Sequence, residues 1–124
     1  MTAEKINTKI EITWSAIALY KNEKVSMQDL VKATKLSASQ IYSYFPNKKS
    51  ILSFYYPALV YQYWAMVSEI DGFENYSLSE KFSNFIYTQF DMMSENPEFV
   101  NDTFDKLVFR KGQSSEFHKE VTAL

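Results

Sequence analysis

The chain has 124 residues, 46% hydrophobic and 23% charged, with thirteen Lys or Arg against fifteen Asp or Glu and no cysteine. That length accommodates one or at most two small domains with a real core, and the absence of thiols excludes disulfides, thiolate catalysis and cysteine-held zinc. It also fits a reducing, cytoplasmic setting.

No apolar run is long enough to cross a membrane, and the opening MTAEKINTKI lacks the form of a secretion signal. Two glycines and three prolines leave little punctuation, so long helices are expected and no sheet: an all-α chain. The net charge of −2 hides an asymmetry. Residues 1–50 hold eight lysines against four acids, and residues 51–124 hold five bases against eleven acids. A basic N-terminal unit on an acidic body is the split expected of a nucleic-acid reader with an attached second part.

The segment Ser26 to Lys49, SMQDLVKATKLSASQIYSYFPNKK, carries the clearest signature. Ser26 is an N-cap with Asp29 at the third position after it, a capping box. Leu30 and Val31 supply the buried side of a helix that ends near Thr34. A turn follows at Lys35 and Leu36, where a positive φ would strain a lysine by about 1 kcal/mol. Ser37 then caps a second helix, with Gln40 at the matching third position. Ile41 and Phe45, four apart, share its inner face. Its outer face presents Ser39, Gln40, Tyr42, Ser43 and Tyr44, which are hydrogen-bonding groups rather than the Glu and Lys of an ordinary solvated helix. Two short helices joined this way have the pattern of a helix-turn-helix that lays its second helix in the major groove.

This segment resembles the DNA-binding domain of the TetR family of bacterial transcriptional regulators. The likeness runs from about residue 8 to residue 55. Upstream, Ile12, Ser15, Ala16, Leu19 and Tyr20 follow the family's first-helix pattern. Downstream, Phe45-Pro46-Asn47-Lys48-Lys49 is similar to its Phe-x-x-Lys approach to a fourth helix. Three features depart from the family: the connection KNEKV is short and lacks glycine, Lys35 stands where glycine is common, and Ala38 leaves SASQIYSYF uncharged. The resemblance implies a helix-turn-helix domain over residues 1–46. Residues 47–124 would then form a connecting helix and the N-terminal part of a helical ligand-binding and dimerisation domain, ending short of the helices that build the dimer.

Further along, Asn47 caps a helix bearing Lys48 and Lys49 in its first turn, where cations oppose the helix dipole unless a phosphate lies close. Pro57 should kink or break that helix between Ser53 and Tyr56. Asp71 and Gly72 open a connection ending at Tyr76. Ser77 with Glu80 forms another capping box, ahead of a face made of Leu78, Phe82, Phe85, Ile86 and Met93. Pro97 starts a helix whose stripe is Val100, Phe104, Leu107 and Val108. Gly112 ends it, and Ser114 or Ser115 starts a last helix.

Aromatic residues make up 17% of the chain. A ligand cavity lined by Tyr61, Trp64, Phe85 or Phe104 is one use for them, and core packing is the other. The lone histidine, His118, has no carboxylate on its helical face, and no phosphate-cradling loop or catalytic set is present, so no enzyme, metal or cofactor is expected.

The expected function is sequence-specific transcription regulation by a repressor responsive to a small-molecule effector, binding double-stranded operator DNA as a homodimer. Gln40 is the expected base reader, since its amide pairs bidentately with adenine. Ser39 and Ser43 would add base or phosphate contacts, and Ser26, Ser37, Tyr42, Tyr44 and Lys48 phosphate contacts. The alternative is a helical protein-interaction module of the same fold that has lost specific DNA binding.

Overall fold

The computed structural model describes residues 2–104, and over them the chain is all-helical. Its helices are α1 (Ala3–Leu19), α2 (Met27–Thr34), α3 (Ala38–Tyr44), α4 (Lys48–Ser53), α5 (Tyr55–Val67), α6 (Leu78–Met93) and α7 (Pro97–Phe104), with a 3-10 turn at Phe73–Asn75. The expectations for Leu107, Val108, Gly112, Ser114, Ser115 and His118 lie outside the described residues.

Hydroxyl and amide side chains start these helices by taking up backbone donors that have no partner within the helix. Ser37 and Gln40, Asn47 and Ser50, and Ser77 and Glu80 each form reciprocal capping boxes. Ser26 forms only half of one. Its hydroxyl accepts from the Asp29 N–H at 3.4 Å with no return bond; the aspartate is a methylene shorter than the glutamate of a full box.

The two connections before α3 rest on backbone that glycine would favour. Lys35 lies in the left-handed region at φ 61°, as the turn chemistry anticipates. The Thr34 hydroxyl supports it, donating to the Leu30 carbonyl at 2.9 Å and accepting from the Leu36 N–H at 3.3 Å. In KNEKV, Asn22 and Glu23 also have positive φ, 52° and 65°. Lys21 and Lys24 exchange both backbone hydrogen bonds at 3.0 Å across them. Positive φ at both central residues is what a two-residue type I′ turn demands. The short connection is therefore closed without glycine.

Packing divides into three cores. Ile12, Ala16, Val25, Leu30, Ile41, Phe45, Ile51 and Phe54 bind α1–α4 together. A second core joins Ile17 of α1 to Tyr55, Tyr56 and Leu59 of α5, Met93 of α6 and Phe99 of α7. The third joins Val60, Tyr63 and Val67 of α5 to Phe85 of α6. Pro57 breaks the long helix where expected, at Phe54, between α4 and α5. On α6 the expected face splits: Phe85 and Met93 are buried, whereas Leu78 and Phe82 are exposed. They lie in the first two turns, and only the later part of α6 reaches the second core. On α7 the buried anchor is Phe99, with Val100 and Phe104 only partly covered.

Tyrosine hydroxyls fix α7 against the rest. Tyr20 donates to the Asp102 carboxylate at 2.7 Å, Tyr56 pairs with Thr103 at 3.0 Å, and the Asn96 amide donates to Tyr55 at 3.2 Å. Burial first, then the bond to Asp102, raises the Tyr20 pKa well above its usual range; burial also raises those of Tyr56 and Tyr55.

Two predictions come from this packing. Lys35→Gly should relieve left-handed strain and raise the unfolding free energy by about 0.5–1 kcal/mol, seen as a higher urea midpoint at unchanged slope. An unchanged or lower midpoint would show that the lysine is unstrained.

The second concerns pH. A folded tyrosine pKa above the unfolded value stabilises fully below about pH 10 and progressively less above it, because only the unfolded chain then releases the proton. Tyr20→Phe should cost about 1 kcal/mol at neutral pH through the lost hydrogen bond and flatten the alkaline decline. Urea midpoints from pH 7 to about pH 11 test this, and parallel profiles for the two proteins would refute it.

Candidate nucleic-acid interface

The first core presents α3 outward. Ile41 is 0% exposed and Phe45 2%, so one side of the helix is fixed against α1, α2 and α4. At 100° per residue, Ser39 and Ser43 then stand opposite Ile41, with Gln40 and Tyr42 on the flanks. All four are exposed, Tyr42 at 42%. Tyr44 differs: it is half-buried and packs against the first core. Apart from Tyr42, whose hydroxyl offers a polar tip, this outer face has short polar groups and no charge.

The hydrogen bonds on this face limit what each side chain can do. The Gln40 Oε1 accepts from the Ser37 N–H at 2.8 Å, and the Ser37 hydroxyl accepts from the Gln40 N–H at 3.1 Å. Bidentate pairing with adenine needs both Oε1 and Nε2. One lone pair of Oε1 is held in the cap, which leaves its second lone pair and both Nε2 hydrogens to face outward. The Ser43 hydroxyl donates to the Gln40 carbonyl, so its lone pairs are what it offers outward. Ser26 is exposed, and its hydroxyl proton is not used by its cap.

Lys48 and Lys49 are both exposed at the start of α4. Lys48 borders a small apolar gap of about 10 Å³ shared with Met27 and Leu30 of α2 and Ile51 of α4. The structure thus puts Ser39, Gln40, Tyr42 and Ser43 on one short helix, and Lys48 beside α2.

The four candidate ligand residues are not gathered. Tyr61 stacks on Phe54 at the edge of the first core. Trp64 and Phe85 belong to the third, where Phe85 meets Tyr63 edge-on at 5.1 Å. Phe104 packs on Tyr56 and lines an open cleft of about 470 Å³ with Phe90, Met93, Pro97 and Val100. Helical spacing marked Phe85 and Phe104 as stripe residues, without showing which core each enters.

Several residues escaped the sequence reading. Gln89 is 3% exposed, donates to the Leu59 carbonyl at 3.3 Å, and its Oε1 has no partner among the described residues. Asp102 and Glu98 reach back to the end of α1 and the turn after it, through Tyr20 and the Asn22 N–H. Lys5 and Lys9 line a cleft against α3. Their spacing of four residues was the available signal.

Among the described residues, no group of three His, Cys, Asp or Glu side chains is placed to hold a metal ion, and no helix is long and apolar enough to cross a membrane. Comparison of the chain with protein-family models, with curated proteins and with solved structures finds no match.

The double duty of Gln40 has a measurable consequence. Gln40→Ala should lose the return bond of the capping box and cost about 0.5–1.5 kcal/mol of stability. Gln40→Glu restores an acceptor, adds a favourable negative charge at the helix start, and should stay within a few tenths of the parent. Equal losses in both variants would show that the cap is not what holds this side chain.

Proposed function

We propose that this chain is a TetR-like DNA-binding transcriptional regulator in which α2 and α3 act as the helix-turn-helix. The observation that carries the reading is the outer face of α3. Four exposed polar or amphipathic side chains, Ser39, Gln40, Tyr42 and Ser43, sit on a helix anchored by Ile41 and Phe45. Such a face has nothing to gain from solvent that Glu and Lys would not supply better, and it has hydrogen-bonding groups suited to base edges and phosphates. The resemblance of residues 8–55 to the family's reader, and the surplus of lysines in the first fifty residues, support the same reading.

On this reading the chain represses from operator DNA as a homodimer and is released by a small molecule. The Gln40 amide reads bases, and Ser39 and Ser43 add base or phosphate contacts. Ser26, Ser37, Tyr42, Tyr44 and Lys48 contact phosphates and set register. The effector would act through α4 and α5, whose break at Phe54 is the natural place for a change of tilt. The cleft beside Phe104 has a size suited to a small organic ligand.

One observation favours a protein-interaction module instead. Leu78, Phe82, Tyr87 and Phe90 of α6 are all more than half exposed, and exposed apolar surface of that kind marks interaction sites.

Titration of the chain with a mixed pool of duplex DNA at low salt separates the two. The regulator should bind, with affinity falling steeply as salt rises. Lys48→Ala should weaken all duplexes about equally and reduce the salt slope by about one unit. Absence of duplex binding would favour the interaction module, and a Lys48→Ala effect confined to one sequence would remove Lys48 from the phosphate contacts.

A further inference from the structure

The uncharged face of α3 poses an energetic question. Affinity for DNA comes largely from cations that displace counterions from phosphates, and α3 contributes none. Beside it, however, lies a cleft of about 510 Å³ between the first turns of α1 and the last turn of α3, lined by Lys5, Lys9, Ser43 and Tyr44. Among the described residues no carboxylate lines it.

Lys9 is held in place. Its ammonium sits 4.4 Å from the centre of the Phe54 ring and 4.9 Å from that of Phe45, and the two rings are buried and packed edge-on at 5.6 Å. Neither Lys5 nor Lys9 is ion-paired among the described residues. A cation stationed over two aromatic faces has given up side-chain freedom before any ligand arrives. Lys5, one turn earlier on the same face of α1, is exposed and supplies a second positive charge. Ser43 and Tyr44 form the other wall and belong to α3 itself.

We infer that this cleft binds a phosphate of the DNA backbone, with Lys9 as the fixed cation, Lys5 as the second, and the end of α3 as the opposite wall. The inference rests on the DNA-binding reading and adds a second anchor to it. Lys48 borders the small gap that Met27 and Leu30 of α2 also line, whereas Lys9 lies over Phe45 and Phe54. Two phosphate contacts from different sides of the reader fix the direction of α3 in the groove, which a single contact leaves free to pivot.

The test is fluorescence anisotropy of a labelled mixed-sequence duplex titrated with the full chain over a series of salt concentrations. Lys5→Gln and Lys9→Gln should each reduce the salt slope by about one unit, equally for every sequence, and together by about two. Lys9→Arg, which keeps the charge and stacks on aromatic rings, should restore the slope. Lys81→Gln on α6 should leave it unchanged. Lys5 is exposed, so its variant probes the cleft without disturbing the core.

Unchanged slopes in both glutamine variants, against a steep slope for the parent, would overturn the cleft assignment and leave the DNA-binding reading standing. A parent chain that binds no duplex would overturn both. Inorganic phosphate should displace no more duplex than chloride at equal ionic strength. Preferential displacement would give the cleft to a free phosphate ligand and overturn the assignment to DNA.

Discussion

The arrangement depends on one missing N–H. Pro57 cannot donate to the Ser53 carbonyl, so the helix that begins at Lys48 cannot run on undisturbed and breaks at Phe54. Around the break, three consecutive aromatic residues serve two different cores. Phe54 turns into the first, edge-on to Phe45 and stacked on Tyr61. Tyr55 and Tyr56 turn into the second, where Tyr55 meets Trp14 at 5.5 Å and Phe99 at 4.9 Å. The Thr13 hydroxyl donates to the Ile51 carbonyl at 3.2 Å just before the break, tying it to α1. Phe54 therefore couples the position of α5 to Phe45, which ends the outward-facing helix, and to Lys9 above both rings.

From the other side, α7 grips α1 and α5 with polar groups set on an aromatic base. Phe99 supplies the apolar contact, edge-on to Tyr20 at 5.0 Å, and Asp102, Thr103 and Asn96 engage three tyrosine hydroxyls. Apolar packing alone tolerates sliding, whereas a hydrogen bond to a carboxylate is directional and costly to leave unmade. Any displacement of α7 along its axis must break Tyr20–Asp102 or carry the end of α1 with it. Under the regulator reading, the contacts between the cleft at Phe104 and α3 pass through α1 and through the break at Phe54.

Much of the local structure was legible because its causes are local. Ser37 with Gln40, Ser77 with Glu80, the break before Pro57 and the left-handed Lys35 each follow from a few adjacent residues whose backbone needs are known. Burial of Ile41 and Phe45 follows from helical spacing. What spacing could not decide is which neighbour an inward-facing residue meets. Leu78 and Phe82 share a stripe with Met93, yet only Met93 lies where another helix passes. Phe99 was overlooked beside Val100 because the two differ by one step on the helix, and the approach of α5 makes the choice. Tyr20 and Asp102 are 82 positions apart, a separation across which no local pattern carries information. The Asn22–Glu23 turn was illegible for the opposite reason, since neither residue is the glycine that usually marks such a conformation.

The uncharged character of α3 follows from where its hydrogen bonds go. A seven-residue helix is too short to hold itself by propensity, so its first turn depends on Ser37 and Gln40 bonding each other's backbone. That engages one lone pair of the Gln40 Oε1 and fixes the direction of its side chain. What is left facing outward is the Gln40 amide with its Nε2 donors and one Oε1 lone pair, the lone pairs of Ser43, and the hydroxyls of Ser39 and Tyr42. Under the DNA-binding reading, a helix so occupied with its own stability and without charge takes its placement from groups beside it. Lys48 against α2 and Lys9 over Phe45 and Phe54 stand where such positioning is needed, and both are set by the same first core that buries Ile41. Under the DNA-binding reading, the core that folds the reader therefore also aims it.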